Sequence, residues 1–228
     1  MKIRVKFGKE GALIYIGHLD LMRAFQKLFR KAELPVAFSE GFNPHMLMSF
    51  AQPLSVGMSS EGEYLDARLK EDIDTEEALK KLKEIVPADL PIYAVKHIPD
   101  EKKMGAMTVL SKARYKVFAP VVPNDSSLHT IAIADGLHME SEIEKFLGSE
   151  HLISPKMTKT KVEEWDIRPL IHELLFNDNG FELLLSCGSK ANLKPQAVIE
   201  AFYEFTGMKV PKDLHYRRIE MYSEVGPL

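Results

Sequence analysis

Between residues 2 and 32 the apolar side chains change their spacing from every second position to every third or fourth. Ile3, Val5 and Phe7 alternate with Lys2, Arg4 and Lys6, the period of a strand with one buried face. From residue 19 to 32 the spacing is helical. Leu21, Met22, Phe25, Leu28, Phe29 and Ala32 make one apolar stripe, and Arg23, Lys27, Arg30 and Lys31 lie opposite it. A short strand over Leu13 to Ile16 is expected between these two elements. Pro35 ends the helix, and strands are expected near 35–39, 46–51 and 62–69. Asp74-Thr75-Glu76-Glu77 opens a second helix with carboxylates in its first turn, as the macrodipole favours, running to about Val86. Ile92 to Ile98 reads as a strand.

Strand, helix, strand, strand, helix, strand is the order of a ferredoxin-like unit. Residues 99–110 (PDEKKMGAMTVL) are polar with Pro and Gly, and read as a linker. The order then recurs: a strand at 113–121, a helix at 139–148, strands at 155–163, 170–176 and 181–187, a helix at 195–206 and a strand at 213–222. Asn177-Asp178-Asn179-Gly180 between two apolar runs signals a hairpin. The expected fold class is therefore α+β: two tandem ferredoxin-like (βαββαβ) domains with antiparallel sheets. The first, residues 1–100, carries the Gly41-Phe42-Asn43-Pro44-His45 loop, and the second covers 101–228.

That loop is the expected site. Ser39-Glu40-Gly41-Phe42-Asn43-Pro44-His45 packs turn formers, a carboxylate, an amide and an imidazole into seven residues, which no core strand would hold. Binding chemistry sits on such loops when a rigid scaffold carries them. His18 lies just before a basic helix, where an anion is favoured, and Asp20 beside it serves equally well as a cap or dipole partner. Should His18 and His45 face one cleft with Asn43, and with Glu40 or Glu63 in reach, they form a general acid–base pair near neutral pH. Glu63 and Asp66, three apart on an extended segment, point to opposite faces, one inward and one to the surface. Tyr15, Phe38, Phe42 and Tyr64 are the candidates for stacking on bases, or else core. Asp166 and Arg168 share a face and are placed to pair with each other, next to Trp165, a core or interdomain aromatic. No HxH, HExxH or CxxC spacing points to a metal.

Composition narrows the classes. At 228 residues, 45% hydrophobic and 28% charged, the chain has the make-up of a globular protein, with no apolar run near the roughly 18 residues of a membrane span. Its start lacks the apolar centre of a signal peptide, and its single cysteine, Cys187, suits a reducing compartment; a cytoplasmic location and no membrane contact are expected. The net charge of −3 conceals a basic start: residues 1–34 hold eight Lys and Arg against three Asp and Glu, a net of +5. That end is either an anion-binding face or solvated surface. One cysteine cannot supply the thiolates that anchor an iron–sulfur cluster. No cofactor is expected, and Gly188-Ser189-Lys190 lacks the surroundings of a phosphate loop.

Tyr15 to Arg23, the Ser39–His45 loop, Gln52-Pro53-Leu54 with Gly57, and Asp166-Ile167-Arg168-Pro169 together resemble the DUF2344 family of radical-SAM-linked bacterial proteins of unknown function. The sequence departs from that pattern at Gly17, where Ser is usual, and at Met46, where Pro is usual. Family members stand alone or extend the C-terminus of radical SAM proteins, so the resemblance implies a radical SAM protein as partner. The expectation that joins these strands is a non-catalytic partner that binds a substrate and presents it to a radical SAM enzyme. RNA is the expected substrate, held by Tyr15, His18, Arg23, Lys27, Arg30, Glu40, Phe42, Asn43, His45 and Glu63, with Trp165, Asp166 and Arg168 facing the partner. The alternatives are a metal-independent endoribonuclease using His18 and His45, and a binding protein for a peptide or small anionic ligand.

Overall fold

The computed structural model describes residues 1–118, 136–157, 161–177 and 180–228. It has an α+β architecture with antiparallel pairing throughout the strand registers given below, and divides into two units: Met1–Ser111 with Arg218–Leu228, and Lys112–Arg217. Residues 101–111 and the last eleven residues thus belong with the first unit.

The first unit runs β1 (Lys2–Lys9), α1 (His18–Lys31), β2 (Met48–Phe50), β3 (Ser59–Arg68), α2 (Thr75–Ile85), β4 (Ile92–Ile98) and the one-turn α3 (Ala106–Val109). β1 lies between β4 and β3, with Val5 opposite Val95 and Leu65, and β2 continues the sheet by placing Phe50 opposite Leu65. The apolar residues of β1 meet the apolar stripes of both helices: Ile3, Val5 and Phe7 share one core with Phe25, Phe29 and Leu82. Phe7 and Phe25 pack edge to face with centroids 4.6 Å apart. Asp74 caps α2 by accepting from the Glu76 and Glu77 amides, the role its position implies.

Three expectations change here. Gly11–Tyr15 is a 3-10 turn, not a strand, because Gly11 takes φ +50° and the Ala12 amide donates to the Asp89 carboxylate, bending the chain into α1. Residues 35–39 make only single bridges, Val36 to Leu69 and Phe38 to Met46. Residues 99–110 are no free linker. The Ala106 amide donates to Asp66 at 2.7 Å, and Arg4 donates to the Met104 carbonyl at 2.9 Å.

The second unit contains β5 (Lys112–Phe118), α4 (Gly136–Gly148), β6 (Ile153–Met157), β7 (Val162–Asp166), β8 (Ile171–Asn177), β9 (Gly180–Ser186) and α5 (Pro195–Thr206). β9 pairs with β5 on one side and β8 on the other, and β6 and β7 form a separate two-stranded sheet. The strand expected at 155–163 is therefore two strands, and the one expected at 113–121 is described to Phe118. In the expected hairpin Asn177 pairs with Gly180; Asp178 and Asn179 lie outside the described residues. α5 starts on Pro195 and stops at Gly207, whose φ of +67° only glycine adopts without strain. Phe146, Phe181 and Phe202 pack edge to face beneath it.

β10 (His215–Ser223) and β11 (Gly226–Pro227) end the chain, and residues 218–223 of β10 return to lie beside β3. A Cβ on Gly62 would stand 2.5 Å from the Ile219 carbonyl oxygen and 2.6 Å from the Glu220 Cα. Only glycine admits that approach.

Candidate functional site

Alternation along β1 carries Ile3, Val5 and Phe7 inward, and Lys9 follows them. Its side chain is buried, and its ammonium donates to the Ile14 and Ile16 carbonyls at 3.3 and 2.9 Å. Burial lowers the Lys9 pKa, against which the Glu63 charge acts. Glu63 in β3 is itself buried, with one Arg218 nitrogen 3.0 and 3.1 Å from its two oxygens. Burial pushes the Glu63 carboxyl up, while Arg218 and Lys9 pull it down. Arg218 also donates to the Gln52 carbonyl at 3.0 Å. The two cations thus grip carbonyls of two different loops, 11–17 and 51–57, around one carboxylate. The Gly57 amide joins those loops by donating to the Ile14 carbonyl at 2.8 Å.

What this buried cluster presents is the entry to α1. Gly17 sits at the N-cap without a side-chain cap, so Asp20 is not the cap; it pairs with Arg23 at 3.1 Å on the surface. His18, the first helical residue, stacks its ring edge-on to Phe50, with centroids 5.2 Å apart. Tyr15 and Leu19 are 71% and 65% exposed. Farther along the helix Arg23, Lys27, Arg30 and Lys31 are all exposed, spaced at i, i+4, i+7 and i+8 on one face. Among the described residues no carboxylate forms an ion pair with Lys27, Arg30 or Lys31.

The 39–45 loop is closed at its base. The Ser39 amide donates to the His45 carbonyl at 2.8 Å, the His45 amide to the Ser39 hydroxyl at 3.1 Å, and that hydroxyl meets the His45 Nδ1 at 2.8 Å. Gly41 takes φ +106°, which commits the turn to glycine. Glu40, Asn43 and His45 are exposed, and Phe42 projects wholly into solvent. His45 also lines a groove of about 390 Å³ that runs past Met48, Lys2, Arg68, Asp100 and Lys102.

The structure gives the residues expected to converge different local surroundings. His18 packs on Phe50, whereas His45 closes the 39–45 loop against Ser39. The groove includes His45 but not His18, Asn43, Glu40 or Glu63. Glu63 and Asp66 do point to opposite faces, yet both are buried, because both faces of β3 are covered. Arg4 holds Asp66 through two bonds of 2.7 and 3.1 Å. Tyr64 is buried too, donating to Glu220 at 2.6 Å, which removes it from the stacking candidates; burial and Glu220 push its phenol pKa up. Lys9, Arg218, Lys2 and Lys102 were missed by the sequence reading. Only Lys9, at the next inward position of the alternation in β1, had a local signal.

In the second unit Asp166 and Arg168 do not pair through their side chains. Asp166 meets His151 Nδ1 at 2.8 Å and accepts from the Leu152 and Arg168 amides, both at 2.9 Å. These bonds, the His151 contact foremost, hold its carboxyl at about 2. The Arg168 guanidinium instead donates to the Leu147 carbonyl at 2.7 Å. Trp165 lies half-buried in β7. Among the described residues no group of three or more His, Cys, Asp or Glu side chains is arranged to hold a metal ion, and no helix is long and apolar enough to cross a membrane.

The profile of DUF2344, described as an uncharacterized protein conserved in bacteria, matches residues 2–195. The chain belongs to this family. The match takes in α1, the 39–45 loop and the 51–57 loop of this DUF2344 protein, and stops short of Arg218. No curated protein matches the sequence. Among solved structures it is similar to a Cbf5–Nop10–Gar1 complex at 11% identity and a TM-score of 0.40, over 97% of this chain and 50% of that one. It is also similar to a heavy-metal efflux pump at 7% identity and a TM-score of 0.25, over 96% of this chain and 28% of that one. The DUF2344 chain thus spans at most half the length of either neighbour, and at such scores neither likeness bears on function.

Proposed function

We propose that this DUF2344 protein is a non-catalytic partner of a radical SAM enzyme that binds RNA and presents it as substrate. The observation that carries the RNA half is the face of α1: Lys27, Arg30 and Lys31 stand exposed without carboxylate partners among the described residues, and Tyr15 and Leu19 stand exposed at the same helix's entry. Cations held in a row on a rigid helix suit phosphates spaced along a nucleic acid backbone. The order β4-β1-β3-β2 in the first unit supports a ferredoxin-like fold there, and the strand–helix alternation of the second supports the tandem reading. The nuclease alternative requires His18 and His45 at one scissile phosphate, which their separate settings on Phe50 and Ser39 do not favour.

The radical SAM half rests on the family resemblance and on the single cysteine, Cys187, which is buried. Asp166 and Arg168 are occupied within the second unit, so the partner-facing residue worth changing beside them is Ile153, opposite Asp166 in the hairpin and more than half exposed. Ultraviolet cross-linking in the native cell, followed by purification, should recover RNA and a radical SAM protein with the wild type. Lys27→Glu with Arg30→Glu should lose the RNA, and Ile153→Glu should lose the protein. Recovery of neither with the wild type refutes the proposal.

A further inference from the structure

We infer that the groove beginning at His45 is a subsite for one nucleotide of single-stranded RNA, its phosphate held by Lys2 and Lys102 and its base stacked on Phe42. This rests on the RNA reading and adds a second contact, separate from the face of α1.

The charge in the groove favours an anion. Its two carboxylates are already engaged: Asp66 by Arg4 and the Ala106 amide, Asp100 by Arg68 at 2.9 Å and the terminal ammonium at 3.6 Å. Lys2, whose charge acts on Asp100, and Lys102 form no ion pair among the described residues, and with Arg68 they leave the groove lining with more cations than carboxylates. Lys70 adds another cation at the foot of the loop, 5.6 Å from the Phe38 ring centre. Met48 supplies a soft apolar wall, and about 390 Å³ lies within the range of small-ligand sites.

Phe42 decides which anion. A phenyl ring wholly in solvent, on a loop whose base is closed by three Ser39–His45 contacts, buries no surface of its own chain and is open to a partner. It stands three residues from His45 at the groove wall, no more than about 10 Å of chain. That reach covers the spacing of base and phosphate within a nucleotide. Only an unpaired base offers its face to such a ring, which selects a single strand over a duplex.

The test uses the full-length protein and two probes, a twelve-nucleotide single-stranded RNA carrying 2-aminopurine and a duplex of the same length. The wild type should bind the single strand and quench the 2-aminopurine. Phe42→Ala should weaken that binding about five- to a hundredfold and abolish the quench, with the thermal melt unchanged. Lys2→Ala with Lys102→Ala should lower the slope of log affinity against log salt by about 1.4. Single-strand binding and quenching unchanged in both variants overturn the subsite. If Lys27→Glu with Arg30→Glu still abolishes binding in that case, the RNA reading survives. A wild type that binds neither probe removes both. If Phe42→Ala instead loses a protein partner while RNA binding is intact, the loop is a protein contact and the subsite is overturned.

Discussion

Replacing Glu63 by Gln keeps the shape of the buried cluster and removes the negative charge that faces Arg218 and Lys9. Glu63 and Arg218 are 3% and 4% exposed as side chains, so water does not screen the change. Removing one partner of a buried pair costs about 3–5 kcal/mol. In a chain of this length each kcal/mol moves the melting temperature by about 2–4 °C, so the melt should fall by roughly 6–20 °C. A circular dichroism melt at neutral pH measures this. Hydrogen exchange gives the local readout: the Gly57 amide, bonded to Ile14 between the two gripped loops, should lose protection ahead of the β1–β3 ladder. A shift below about 3 °C with Gly57 still protected would mean that the loops stand without the charges, and the scaffold role of the cluster would be wrong.

Asp166, with its carboxyl held at about 2, contributes stability that is present above about pH 4 and lost as the pH falls toward 2. Asp166→Asn should therefore melt lower at pH 6 and lose less on acidification, and an acid limb identical to wild type would contradict the assignment. Gly62→Ala drives a methyl group into the backbone of β10 and should destabilise by about 1–3 kcal/mol in urea titration; an unchanged midpoint would show that β10 can withdraw from β3.

Helical period and end signals made α1, α2 and α5 legible, since the pattern is repeated over three turns and the stops at Pro35 and Gly207 are local. The four-residue apolar run Leu13 to Ile16 was not legible, because what bends it is Asp89, far along the chain, and a lysine reaching back from β1. One of Glu63 and Asp66 was expected at the surface and both are buried, for alternation says which face a side chain takes and not whether that face is covered. The partner of Asp66, Arg4, is 62 positions away, and the partner of Glu63 is 155 away. The same limit explains the histidines. Both motifs are local in sequence, whereas the packing of Phe50 against His18 is set by the tertiary fold. The basic face of α1 was readable in full, because a helix exposes whatever its apolar stripe does not use.

That face is the centre of the account, and the salt dependence of RNA binding tests it most directly. Affinity for a structured RNA should be measured from about 50 to 250 mM KCl, for the wild type and for Lys27→Glu with Arg30→Glu. Three or four phosphate contacts give a slope of log affinity against log salt of roughly −2 to −4, and the double variant should bind at least tenfold more weakly with a slope shallower by about 1.5. A wild-type slope near zero, or a double variant indistinguishable from it, would contradict RNA binding through α1.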